Sequence, residues 1–172
     1  GFALASVTSA YHAGRHSRDL DMDMGFASMH SARGLPAIGK KGVMLMNRIA
    51  PSTSSLYIAN TDGTNERQLF NGSTTYDYHA NFSPDGKYIT FTSERNGDGQ
   101  SDLYRVAVNG STPEELLATS SFEDAAVMSP DGTKIAYVST ANGYKANIWI
   151  MDLATGVQTN LTNTEEIKGV SW

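Results

Sequence analysis

The chain has no cysteine among its 172 residues. Disulfides, thiolate metal centres and cysteine nucleophiles are therefore excluded, while the cellular compartment stays open. Positive charge is also scarce: 13 Lys and Arg stand against 18 Asp and Glu, a formal charge of −5. Beyond Lys40-Lys41 there is no basic cluster, which argues against a general nucleic-acid surface. No apolar run approaches the ~20 residues that a membrane-spanning helix needs. There is no G-x-S-x-G nucleophile elbow, no P-loop and no dinucleotide fingerprint. Ser, His and Asp all occur, but no spacing among them defines a triad.

What the chain does have is a tetrapeptide used twice. Ser83-Pro84-Asp85-Gly86 returns 46 residues later as Ser129-Pro130-Asp131-Gly132. The flanks return with it, Lys87 to Ser93 matching Thr133 to Ser139. A fixed period of this size means one supersecondary unit copied and stacked.

Each unit reads as four short strands. In the middle unit these are 78–82, 88–92, 103–108 and 114–117. In the next they are 124–128, 134–138, 147–151 and 158–161. Pro presets φ at the first turn, Asp bonds its own backbone and Gly takes the positive φ. Asn109-Gly110 is a two-residue hairpin signal. An earlier, degenerate unit supplies 43–46, 55–59 and 67–70. Aromatics occupy the matching place in every third strand: Tyr57, Tyr104 and Trp149.

Four-stranded units of about 40–45 residues have the size of a propeller blade. With the S-P-D-G turn, the aromatic second strand and the Leu/Ile-Tyr/Trp third strand, residues 43–172 resemble the TolB-like β-propeller repeat family. The resemblance implies an all-β propeller with about three four-stranded blades in view, part of a ring of about six to eight. The blades span 43–77, 78–123 and 124–167, and 168–172 begin another. The resemblance leaves the chemistry open, because one propeller scaffold serves many functions.

Three units do not close a ring, which takes at least about four. Two completions are open: the remaining blades come from the same longer chain, or a second copy supplies them head to tail. Residues 1–42 form a leader or closure segment outside the repeat. Within it, 2–10 read either as the remnant of a signal peptide or as a first strand, and 25–29 have the length to supply the strand that the first blade lacks. The leaning is toward a secreted or periplasmic protein. The sequons at Asn71 and Asn109 fall at turns and suit glycosylation if the source is eukaryotic; Asn81 falls in a strand. His12 and His16 with the Asp19–Asp23 run do not make a metal motif, because Gly14 interrupts the helix that would pair the histidines.

The candidate binding site is the channel mouth, built from the loops that lead into each first strand. They hold Tyr76, Asp77, Tyr78 and His79, then Phe122, Glu123 and Asp124, then Glu165 and Glu166. Radial stacking would gather carboxylates and flat rings on one rim, suited to a protein or glycan partner. His79 beside Asp77 is a possible acid–base pair on the channel wall. Asn96, Asp98 and Asp102 are a weaker Ca²⁺ candidate, and no other cofactor is expected. The reading is a non-catalytic recognition scaffold. The alternative is the first part of an enzyme, a polysaccharide lyase or a propeller-gated serine peptidase.

Overall fold

The S-P-D-G turn is a closed hydrogen-bonded unit. Ser83 Oγ donates to Asp85 Oδ1 (2.6 Å) and accepts from the Tyr88 amide (2.9 Å), while Asp85 Oδ1 also accepts from the Lys87 amide (3.1 Å). Ser129 and Asp131 repeat the pattern at 2.6, 2.9 and 3.0 Å. The sequence credits Pro, Asp and Gly with the turn; the buried serine hydroxyl is its hub. Each hydroxyl satisfies an amide that would otherwise lose its partner at the strand start.

A computed structural model describes residues 3–6, 42–70, 75–143, 145–163, 167 and 169–172. Every element in them is a β-strand. They are β1 (Ala3–Ser6), β2 (Gly42–Ala50), β3 (Thr53–Asn60), β4 (Arg67–Gln68), β5 (Asp77–Phe82), β6 (Tyr88–Ser93), β7 (Asp102–Ala107), β8 (Glu114–Leu117), β9 (Glu123–Met128), β10 (Lys134–Ser139), β11 (Asn147–Asp152) and β12 (Gln158–Asn160). They form three four-stranded sheets in the orders β1-β2-β3-β4, β5-β6-β7-β8 and β9-β10-β11-β12. The second and third are antiparallel meanders with matching registers.

The first sheet differs at its inner edge. β1 runs parallel to β2, Ala3 opposite Gly42 through Ser6 opposite Leu45. A parallel neighbour needs a long return connection, and residues 7–41 supply one. The segment 25–29, read from sequence as a filler of this position, lies outside the described residues.

The central strands are buried on both faces. In β6, Ile89 and Phe91 face the first sheet, while Thr90 and Thr92 face the third, so alternation sorts two interfaces along one strand. Leu45, Leu56, Ile58, Leu69 and Phe70 meet Ile89, Phe91, Tyr104 and Val106 between sheets one and two. Leu103 and the half-buried Leu116 and Leu117 meet Ile135, Tyr137 and Met151 between sheets two and three. Each such side chain contributes about 1.5–3 kcal/mol by leaving water. Gly110 marks a close approach: a Cβ there would lie 2.1 Å from Leu69 O, and its φ is +84°.

β5 and β9 lie side by side at the leading edges. Asn81 Nδ2 and Thr90 Oγ1 both donate to Ala126 O (3.3 and 3.0 Å). Trp172 Nε1 donates to Val127 O (3.0 Å) on the far side of β9. Both strands carry a bulge after their second residue, with His79 at φ +48° and Ala125 at +53°. Because alanine takes the same conformation in the next copy, the bulge belongs to the repeat rather than to any chemistry at His79.

Candidate functional site

The loop before each leading strand is clamped from both sides. Ser54 Oγ donates to Asp77 O (2.8 Å), and in the next copy Ser101 Oγ donates to Glu123 O (2.9 Å). From the strand's own sheet, the Glu94 amide donates to Tyr76 O and the Thr140 amide to Phe122 O, both at 3.1 Å. These bonds put Tyr76 and Phe122 at equivalent places, 38% and 50% exposed. Ile49, 52% exposed, stands at the same end, since it pairs with Ser54 and Ser54 bridges Tyr76.

The next residue in each loop turns inward. Asp77 is fully buried and Glu123 is 1% exposed, so neither carboxylate lies on a rim. Strand alternation explains it, since the neighbour of an exposed ring points into the sheet interface. Asp77 Oδ1 accepts from Ser93 Oγ (2.5 Å) and from the Arg95 guanidinium (3.0 Å). That guanidinium also lies 4.6–5.1 Å from the ring centroids of Phe70, Phe91 and Tyr104. Glu123 Oε1 accepts from Thr119 Oγ1 (2.7 Å) and Ser139 Oγ (3.1 Å). Burial pushes the Glu123 carboxyl above its ordinary pKa.

Tyr78, His79 and Asp124 do come together, across the junction of β5 and β9. His79 Nδ1 lies 2.6 Å from Asp124 Oδ1, which also accepts from Thr92 Oγ1 (2.8 Å) and from the Ala125 amide (2.6 Å). The partner of His79 is thus Asp124 of the next blade, not Asp77, which faces the other side of the sheet. The Tyr78 ring meets the His79 ring edge-on at 5.1 Å, and its hydroxyl donates to Glu94 Oε1 (3.2 Å). Burial, then the charges of Asp124 and Glu94, raises the Tyr78 phenol. With Nδ1 committed to Asp124, Nε2 is the remaining polar atom of the imidazole. Glu165 and Glu166 lie outside the described residues.

Asn96, Asp98 and Asp102 do not converge as a ligand set. Asn96 turns its amide nitrogen to Asp102 Oδ2 (2.9 Å), and its oxygen accepts from the Tyr104 hydroxyl (2.8 Å). Asp98 closes its own turn on the Gln100 amide (2.9 Å). Among the described residues no group of three or more His, Cys, Asp or Glu is disposed to hold a metal ion. No helix among them is long and apolar enough to cross a membrane.

Sequence reasoning missed Arg95 and the serine pair Ser93 and Ser139. The serines carried a signal, since they recur at the repeat spacing. Arg95 carried none, because Ala141 stands at its place in the next copy.

Three four-stranded sheets fanned with adjacent leading strands define a partial β-propeller. A family profile described as the TolB beta propeller domain matches residues 26–172. The chain belongs to that family. Among solved structures, a putative TolB from Agrobacterium tumefaciens superposes with a TM-score of 0.60 at 25% identity, over 69% of this chain and 44% of that one. TolB from Acinetobacter baumannii gives 0.59 at 27%, over 84% of this chain and 37% of that one. The propeller domain of the trilobed protease from Pyrococcus furiosus gives 0.50 at 16%, over 69% and 38%, a likeness of fold alone. This chain thus spans less than half the length of each. A search of curated proteins gave no match.

Proposed function

We propose that this chain is a non-catalytic recognition scaffold that takes a protein or glycan partner at the end where its leading strands begin. The observation that carries the reading is the exposed, repeat-equivalent aromatic pair, Tyr76 and Phe122, each held by two conserved-in-repeat backbone and serine clamps. Rigidly mounted rings bury large area at low entropic cost, which is why aromatics concentrate at binding hot spots. Ile49 extends the apolar area at that end, while Asp124 and the His79 Nε2 edge supply polar contacts beside it. The acidic character rests on Asp124 and Glu94 among the described residues, since Asp77 and Glu123 are committed to the interior.

The test is site-specific photocrosslinking. A photoreactive phenylalanine analogue at Phe122 is compared with one at Tyr88, on the opposite end beside the S-P-D-G turn, in extract of the source cells. Partner affinity is then measured for Tyr76→Ala, Phe122→Ala and Asp124→Asn. The reading expects adducts from position 122 and an affinity loss of about tenfold or more for the aromatic variants. Adducts from position 88 alone, or unchanged affinity in both aromatic variants, reject it.

A further inference from the structure

The two best-preserved blades place the same carboxylate in the same buried position, and only one of them has a counter-ion. In the second sheet, Asp77 is bonded by Ser93 and neutralised by Arg95. In the third, Glu123 takes the place of Asp77 and Ser139 that of Ser93. The Arg95 amide bonds Ser93 Oγ (3.3 Å), and the Ala141 amide bonds Ser139 Oγ in the same way (3.1 Å). Ala141 thus stands where Arg95 stands, and the guanidinium has no replacement. No salt bridge among the described residues involves Glu123.

The charge problem is larger than one residue. Among the described residues Asp102, which is fully buried, forms no salt bridge and its Oδ1 has no hydrogen-bond partner; Glu123 Oε2 is buried and unpartnered as well. Gln100 Oε1, two residues before Asp102, is a third buried oxygen without a donor. Thr119 lies between the two carboxylates. Its hydroxyl donates to Glu123 Oε1 (2.7 Å), and its backbone amide favours the charged form of both carboxyls without offsetting their burial. Each carboxyl is raised, burial being the first cause for both, and Asp102 adds to the rise at Glu123. A buried carboxyl either takes up a proton or, if it stays charged, is paired or holds a metal ion.

We infer that a hard divalent cation of the Ca²⁺ type binds at the junction of the second and third sheets, on the unpartnered oxygens of Glu123 and Asp102, in the electrostatic role that Arg95 fills one blade earlier. Carboxylate and amide oxygens select Ca²⁺ over softer transition metals. The site differs from a loop site at Asn96 and Asp98, because its anchoring ligand is Glu123 of the next blade. With two protein carboxylates and water completing the shell, its affinity falls in the range of extracellular modules, about 10⁻⁴–10⁻³ M.

The test uses the whole chain, metal-stripped, with two probes. Terbium(III) reports occupancy through luminescence sensitised by Tyr104 and Tyr137, whose phenols sense Asp102 and Glu123 respectively. Thermal unfolding reports linkage, Tm rising with the logarithm of Ca²⁺ once the site fills. The expected result is saturable terbium luminescence displaced by Ca²⁺, with a Ca²⁺-dependent rise in Tm. Both are lost in Glu123→Gln and in Ala141→Arg, which supplies the guanidinium covalently, and both persist in Asp98→Asn. Because Ala141 is exposed, Ala141→Arg decides the matter if Glu123→Gln fails to fold. No Tm rise up to about 10 mM Ca²⁺, binding retained in Ala141→Arg, or binding lost in Asp98→Asn but kept in Glu123→Gln, overturns the inference.

Discussion

Replacing Arg95 with alanine tests whether the second blade is held by a buried ion pair or merely by its apolar seams. The guanidinium donates to Asp77 Oδ1 at 3.0 Å and to Ser93 Oγ at 2.9 Å, and lies over three rings at 4.6, 5.1 and 5.1 Å. Removing it strands a carboxylate that is fully buried and whose Oδ2 already has no donor. Breaking one partner from a buried pair costs about 3–5 kcal/mol. The Arg95 side chain is 25% exposed, which pulls this term toward the lower end. The ring contacts return about 0.5–1 kcal/mol each, not additively. Arg95→Ala should therefore destabilise by about 3–5 kcal/mol, a large share of the ~5–15 kcal/mol typical of a domain.

The discriminating variant is the double replacement Asp77→Asn with Arg95→Ala. A neutral amide keeps a hydrogen bond to Ser93 and removes the stranded charge, so the double should be more stable than Arg95→Ala alone by at least about 1 kcal/mol. Urea unfolding followed by tryptophan fluorescence and far-ultraviolet circular dichroism measures both, provided the m-value is unchanged. A cost below about 1 kcal/mol for Arg95→Ala, or a double no better than that single, would refute the buried-charge account.

Gly110→Ala should cost at least about 1 kcal/mol more than Gly99→Ala: both have φ +84°, but only Gly110 has Leu69 O at 2.1 Å from its absent Cβ. Equal unfolding midpoints would remove the packing argument. At low pH the Asp131 and Asp152 carboxyls matter, each held near about 2, the first chiefly by the Ser129 hydroxyl and the second chiefly by Lys134. Their folded pKa lies below the unfolded 3.8, so the stability they add is present above pH 3.8 and is lost as pH falls toward 2. Asp131→Asn should flatten the acid limb of a urea midpoint-versus-pH plot, and an unchanged limb counts against the turn's role. Glu123 and Asp102 carry the opposite sign. Their folded pKa is raised above 4.5 and 3.8, so in chelator the native state gains stability as pH falls from neutrality through those raised values. Glu123→Gln should reduce that gain, and a profile identical to wild type would count against a raised Glu123 carboxyl.

Much of the blade plan was legible because turn chemistry and strand alternation are local. Pro84-Asp85-Gly86 and Asn109-Gly110 announce their φ values, and β6 shows its two buried faces as Ile89 and Phe91 against Thr90 and Thr92. The site was less legible, because the direction of a side chain at the start of a strand depends on one residue of register. Tyr76 and Asp77 are adjacent in sequence, yet one is at the surface and the other is fully buried. Charge alone suggested that Asp77 and Glu123 formed a rim. The serine clamps that turn them inward come from other strands at distances in sequence that no local pattern reveals.

The repeat also explains why fold was easier to read than function. Positions that agree between copies, such as Ser83 with Ser129 and Ser93 with Ser139, build the blade and would do so whatever the protein binds. Information about this chain in particular lies where the copies part: His79 against Ala125, Asp102 against Asn147, Arg95 against Ala141. Because the backbone environment is the same in both copies, each such pair is a substitution experiment carried out within one molecule. His79 with Asp124 adds a polar contact between blades at a bulge that alanine adopts in the next copy, so the backbone there does not depend on the imidazole. Arg95 with Ala141 removes a counter-ion while leaving its carboxylate in place, and that difference is what the proposed cation would answer.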